Sequence, residues 1–147
     1  MKISTKIRYG VRAMVELASG YGKGPIELKE IARREEISLK YLEQVFIPLR
    51  TAGLVKSIRG SKGGYSLAKS PSEIYLSEIV EVLEGPIEIV DCLRDSKHCR
   101  KASHCVTREV WREVSQAIQN ILSSITLEEL LNRKREKEEI VTPLYQI

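Results

Sequence analysis

Long apolar runs are absent from this sequence. No stretch approaches the roughly 18 apolar residues that a membrane-spanning helix needs, so the chain is expected to have no membrane partner. The opening residues Met1-Lys2-Ile3-Ser4-Thr5-Lys6 are basic but carry no apolar segment of the kind that directs secretion. Cysteine is scarce, with three in 147 residues, which excludes a disulfide-stapled miniprotein. Internal repeats are missing. So are the common catalytic signatures. Gly60-Ser61-Lys62-Gly63-Gly64 fails the spacing of a nucleotide-binding glycine loop, and no H-E-x-x-H or Ser/His/Asp order occurs. These absences predict a cytoplasmic protein with reduced thiols that is not an enzyme.

What is present is enough apolar sequence for a core, 42% of the chain, and an uneven charge. The net charge is +4, yet residues 1–70 carry 14 Lys/Arg against 6 Asp/Glu, while residues 71–147 carry 10 against 14. A basic N-terminal half suggests a polyanionic partner.

Periodicity predicts a helix over 4–20, with Ile7, Val11, Met14, Val15 and Ala18 on one face and a stop at Gly20 to Pro25. A second short helix is expected over 28–35. After the break at Glu36-Ile37, Ser38 is a good N-cap for a third, in which Tyr41, Leu42, Val45, Phe46 and Leu49 cover the core side. Lys40, Glu43 and Gln44 look outward. Pro48 removes one helical hydrogen bond, and Gly53 ends the helix. Leu54–Arg59 and Tyr65–Ala68 read as strands joined by the basic glycine turn. Three helices followed by a hairpin are the order of a winged helix, whose third helix enters a major groove while the wing lies along the backbone or minor groove.

A connecting helix is expected near 76–84, then an irregular loop, then a long helix over 106–125 striped by Val110, Val114, Ala117, Ile121 and Ile125. That stripe is too long for the small N-terminal core to cover and suggests pairing with a second copy, folding back on its own domain being the alternative. Thr126 caps a short helix ending near Arg133. The expected fold is mostly α with a small β-hairpin wing: a winged helix-turn-helix over 1–70, a connecting helix over 71–87, a cysteine-rich loop over 88–105, a dimerisation helix with a short C-terminal helix over 106–133, and a flexible tail over 134–147.

The chemistry concentrates in the loop. Cys92, Cys99 and Cys105, with His98 and His104, make up every cysteine and histidine in the chain and fall within 14 consecutive residues. Structural cysteines would be spread over the core elements. Their spacing is unlike the C-x-x-C knuckle of structural zinc sites and compatible with an iron–sulfur cluster held by thiolates. Arg94, Lys97, Arg100 and Lys101 would offset a cluster's negative charge. Zinc and a bare thiol switch are the alternatives.

Several stretches resemble one family closely. Lys2–Lys6 with Arg8-Tyr9, Tyr41-Leu42-Glu43-Gln44, Ala52-Gly53-Leu54-Val55 with Arg59-Gly60 and Gly63-Gly64-Tyr65, and Val82–Pro86 are similar to the Rrf-two family of winged-helix transcriptional regulators, over about residues 1–133. The resemblance implies a dimeric bacterial DNA-binding protein, and the three cysteines, with Trp111 shortly after them, match its cluster-binding branch. In that branch a histidine stands three residues after the third cysteine, where this chain has Arg108. The fourth ligand is left among His104, His98, Glu109 and a group from the partner subunit, while Arg8 stands where another branch has an aspartate ligand. The two-iron form is expected, and a four-iron cluster with an open iron also suits three cysteines. The N-terminal half is closest to the cluster-free, CymR-like branch, which regulates cysteine metabolism. The C-terminal Tyr145-Gln146-Ile147 resembles tails that dock into cysteine synthase.

The resulting expectation is a repressor on a pseudo-palindromic operator in double-stranded DNA. Lys40, Tyr41 and Gln44 would read bases, Gln44 pairing adenine in two-pronged fashion. Glu43 accepts from cytosine N4 and repels phosphates, unless it merely pairs with Lys40. Arg59 would enter the minor groove, and Lys56, Lys62, Arg12 and Arg50 would meet phosphates.

Overall fold

The structure is a computed structural model and describes residues 1–145, the side chains of 142–145 excepted. Helix α1 (Thr5–Ser19) starts where the Ser4 hydroxyl accepts from the Ile7 N–H at 3.2 Å. Ala13, Met14, Leu17 and Ala18 face inward along it. Helix α2 (Leu28–Glu35) ends at Glu36, whose φ of 54° lies in the left-handed region. That conformation costs a residue with a Cβ about 1 kcal/mol. It lets the Ile37 N–H close onto the Ala32 carbonyl at 3.0 Å and swings the chain into the next helix. Ser38 then caps α3 (Leu39–Thr51), its hydroxyl accepting from Tyr41 N–H at 3.3 Å. The helix runs through Pro48 to Thr51.

Strands β1 (Val55–Ile58) and β2 (Gly64–Leu67) form an antiparallel hairpin in register from Val55 opposite Leu67 to Ile58 opposite Gly64. Ile26 exchanges two backbone hydrogen bonds with Tyr65, each 2.8 Å, and so fastens the hairpin to the start of α2. The sequence reading treats this segment only as a helix stop, because a one-residue bridge has no periodicity to detect. Gly64 permits it: its φ is 151°, and a Cβ there would collide with the Ile26 carbonyl oxygen.

Helix α4 (Leu76–Glu84) is followed by a loop that is less irregular than expected, with a single turn α5 (Asp91–Arg94) and two 3-10 turns, Ser96–His98 and Ala102–His104. Helices α6 (Val106–Ser124) and α7 (Leu127–Tyr145) complete the described chain. The last helix continues through Tyr145, where the sequence pattern ends it near Arg133. The apolar period does fade there. Lys, Arg and Glu nevertheless sustain a helix without a buried stripe, aided by pairs such as Glu129–Arg133 at 2.7 Å. Gln146 and Ile147, two of the three residues of the expected docking tail, lie outside the described residues.

One buried cluster unites these elements. Met14 and Leu17 of α1, Ile31 of α2, Leu42, Phe46 and Leu49 of α3, Val55 of β1, Ile79 of α4 and Leu127 of α7 are all fully buried within it. The segments leading into α4 and α7 are clipped together, Leu76 N–H to Ile125 carbonyl and Leu127 N–H to Ile74 carbonyl, both 2.9 Å. Among the described residues no helix is long and apolar enough to cross a membrane.

Candidate nucleic-acid interface and cysteine loop

Helical periodicity divides α3 into two sides. Leu42, Val45, Phe46 and Leu49 are buried, while Lys40, Glu43, Gln44 and Arg50 are exposed. Ile47, which polarity-based reasoning overlooks, is 52% exposed on the outward side, one turn beyond Glu43 and Gln44. Tyr41 is half-buried, its ring set edge-on against Tyr9 of α1 with centroids 5.8 Å apart. It therefore braces the helix as well as bordering the outward face. The expected alternative for Glu43, a pair with Lys40, does not form: among the described residues Glu43 is in no ion pair. The carboxylate stays free on the exposed face.

The hairpin follows α3 directly and packs against it through β1. Lys56 on β1, and Arg59 and Lys62 in the turn, are exposed and in no ion pair among the described residues. Gly63 allows the turn to close tightly, since a Cβ there would strike the Ile58 carbonyl oxygen.

Of the other basic residues of the N-terminal half, Arg12, Arg33, Arg34 and Lys69 are in ion pairs. Arg12 pairs with Glu35 at 2.9 Å, and its guanidinium lies 5.3 Å from the Tyr9 ring centre. It is held against α2 rather than presented alone, for which the sequence spacing gave no sign. Arg33 and Arg34 both grip Glu30, whose carboxyl is pulled down to about 2 by hydrogen bonds from Arg33 and then Arg34. Lys40 and Arg50 on α3 and Lys56, Arg59 and Lys62 on the hairpin are in no ion pair among the described residues, and neither are Lys2, Lys6, Arg8, Lys23 and Lys29 elsewhere in this half.

In the loop the three thiols are free and in no disulfide. Cys92 sits half-buried in α5, Cys99 is exposed, and Cys105 is half-buried at the head of α6. His98, His104 and Glu109 are exposed. Among the described residues no three Cys, His, Asp or Glu side chains are gathered as a metal would require. The donors are of the right kind for an iron–sulfur group, but as placed they do not fit one.

Arg108 holds the loop instead. Its guanidinium donates to the Cys92 carbonyl oxygen from Nε at 3.3 Å and Nη2 at 3.0 Å, and to the Ala102 carbonyl oxygen from Nη1 at 3.5 Å. A guanidinium has donors and no acceptor, so it can grip carbonyls where a histidine could ligate. Beside it the Cys105 sulfur lies 3.2 Å from the Thr107 hydroxyl. That hydroxyl, and next the backbone at Arg108, hold the Cys105 thiol below its ordinary range.

Helix α6 has three sides. Ser115 is buried against the α4 flank, its hydroxyl accepting from Ile89 N–H at 3.2 Å, and Ile118 and Leu122 are half-buried near it. Val106, Val110, Ala117 and Ile121 form a separate stripe left uncovered, Val106 75% and Ile121 60% exposed. The third side is polar and carries Arg112 and Gln116.

Comparison with known proteins agrees with this architecture. Residues 3–133 match the Rrf2 family, described as "Iron-dependent Transcriptional regulator". The HTH-type transcriptional regulator CymR of Bacillus subtilis is 48% identical over 130 residues, spanning 88% of this chain and 89% of that protein. The HTH-type transcriptional regulator IscR of Photorhabdus laumondii is 41% identical over 134 residues, 91% of this chain and 81% of the relative. The solved structure of T. potens IscR superposes with a TM-score of 0.78 at 43% identity, covering 93% of this chain and 90% of that one.

Proposed function

This chain belongs to the Rrf2 family of transcriptional regulators, whose members compared above are regulators and not enzymes, and we infer that it acts as a dimeric repressor on a pseudo-palindromic DNA operator. The observation that carries the reading is the outward face of α3, Lys40, Glu43 and Gln44, standing next to a hairpin whose cations are all unpaired. Gln44 offers the donor and acceptor that adenine presents in the major groove, and Lys40 suits guanine or a phosphate. Tyr41 borders the same face. Glu43 accepts from cytosine and repels phosphate oxygens, so it narrows the set of tolerated sites. Arg59 is assigned to the minor groove, and Lys56 and Lys62 to phosphates.

The uncovered stripe on α6 supports pairing of two copies. Apolar groups repeating at one face of a long helix gain most by burying one another. A two-fold axis through that seam relates two α3 helices and thereby two half-sites. A binding-site selection from random duplexes at low salt tests this: recovery of inverted half-sites supports it, and no enrichment rejects it.

The loop over 88–105 is assigned the sensory role, because it joins the DNA-binding elements to the dimer helix. Two modes divide its chemistry. The arrangement in which Arg108 grips the loop and the thiols stand apart supports a cluster-free, CymR-like mode worked by thiols or by a cysteine synthase partner. The crowding of Cys92, Cys99 and Cys105 within one loop supports an iron–sulfur cluster, two-iron or four-iron, with His104 as the nearest further donor in sequence. That mode requires a loop arrangement different from the one described. An absorption spectrum with iron and sulfide assay on anaerobically prepared protein separates them: a coloured iron protein bleached by Cys99→Ala establishes the cluster, and colourless iron-free protein establishes the other mode.

A further inference from the structure

A cleft of about 380 Å³ opens between the C-terminal half of α4, the Gly85–Glu88 turn and the polar side of α6. It falls within the range of small-molecule sites, about 300–1,000 Å³. Its walls carry opposite charges that do not touch. Arg112 lines one side and Glu81 and Glu88 line the cleft with it, yet among the described residues none of the three is in an ion pair. Amides line the same space, Gln116 and Gln119, and Gln119 donates to Glu81 at 3.2 Å. The floor is fixed, because the chain after Glu88 is pinned to Ser115 through the Ile89 N–H.

A cation and two carboxylates facing one small space match a ligand carrying both charges on neighbouring atoms. We propose that this cleft binds a small zwitterion of the α-amino acid class, its carboxylate on Arg112 and its ammonium between Glu81 and Glu88. Arg112 and Gln116 lie about 120–160° around α6 from the Val110, Ala117 and Ile121 stripe, so the cleft stays open when that stripe is covered. The ligand bridges α4, which packs on α1 and α3, to the helix assigned to dimerisation. Only this regulatory consequence rests on the repressor reading; the binding itself does not.

Calorimetric titration of the full chain, without DNA, with each proteinogenic L-amino acid in turn tests the site. At least one gives a saturable heat, its N-acetyl and amide forms bind about tenfold weaker or worse, and Arg112→Gln and Glu88→Gln each weaken it about tenfold while circular dichroism is unchanged. No saturable heat from any amino acid up to about 10 mM overturns the proposal, as does binding that Arg112→Gln leaves intact. Operator binding by the same preparation is measured separately, so loss of the regulator reading and loss of the cleft are distinct results.

Discussion

Neutralising one wing cation should change how operator binding responds to salt by a calculable amount. Each protomer presents Lys40, Arg50, Lys56, Arg59 and Lys62 exposed. With Lys40 and Arg59 assigned to bases, three cations per protomer meet phosphates, and the two-fold axis doubles them. At about 0.9 counterion per phosphate, log affinity then falls against log salt with a slope of about −5. Between about 50 and 200 mM salt the wild type loses roughly a thousandfold in affinity. Lys62→Gln removes two contacts per dimer, which makes the slope shallower by about 1.8 and cuts the loss to roughly 80-fold over the same range. Lys62 has no partner to orphan among the described residues, so the variant folds as the wild type does. Fluorescence anisotropy of a labelled operator duplex at four salt concentrations measures both slopes. A wild-type slope flatter than about −2, or one that Lys62→Gln leaves unchanged, refutes the phosphate assignment.

Three further outcomes follow from the same geometry. Glu16 is 5% exposed and bonds Lys134 of α7 and Arg34 of α2; burial pushes its carboxyl up, but hydrogen bonds from Lys134 and Arg34 and the charge of Lys134 outweigh that and hold it below its ordinary value. Its contribution is therefore complete above the ordinary value and lost as pH falls, so Glu16→Gln costs about 1–3 kcal/mol at neutral pH and less on acidification; urea midpoints at equal protomer concentration and two pH values check it, and an equal deficit at both rejects it. Ile121→Lys places a charge in the uncovered stripe of α6 and should convert dimer to monomer in sedimentation without loss of helix content; an unchanged dimer removes the stripe from the interface. Glu36→Gly relieves the left-handed backbone after α2 and should leave stability equal or raise it by up to about 1 kcal/mol, despite the entropy glycine adds to the unfolded chain; clear destabilisation in denaturant melts contradicts the strain argument.

Much of this was legible because local chemistry and tertiary packing agree. The Ser38 hydroxyl caps α3 where a cap was expected, and of the expected inward set Leu42, Val45, Phe46 and Leu49 are buried and Tyr41 is half-buried. Gly53 and Gly85 both lie at helix ends with positive φ, as glycine there suggests. What was not legible depends on contacts between distant segments. Nothing near Ile26 announces its bridge to Tyr65, and nothing near Arg12 announces Glu35. Arg108 was visible only as a histidine's replacement, since its hold on the Cys92 carbonyl arises from the loop's path in space. Cysteine density marked the loop but could not fix how the sulfurs are arranged, because sequence crowding constrains chain length between donors and not their direction.

Leu127 and Leu131 reach the interior from the far end of the chain, and Leu127 seals apolar side chains contributed by residues more than a hundred positions earlier. During synthesis the DNA-reading helices are therefore made well before the plug that secures them. Tertiary closure has to wait until residues 127–131 have been made, as expected for contacts of long sequence separation. A message broken before that point yields a chain with an open hydrophobic gap, suited to proteolytic clearance and poorly suited to occupying a promoter. The architecture thus ties the stability of the helices assigned to DNA to the presence of α7.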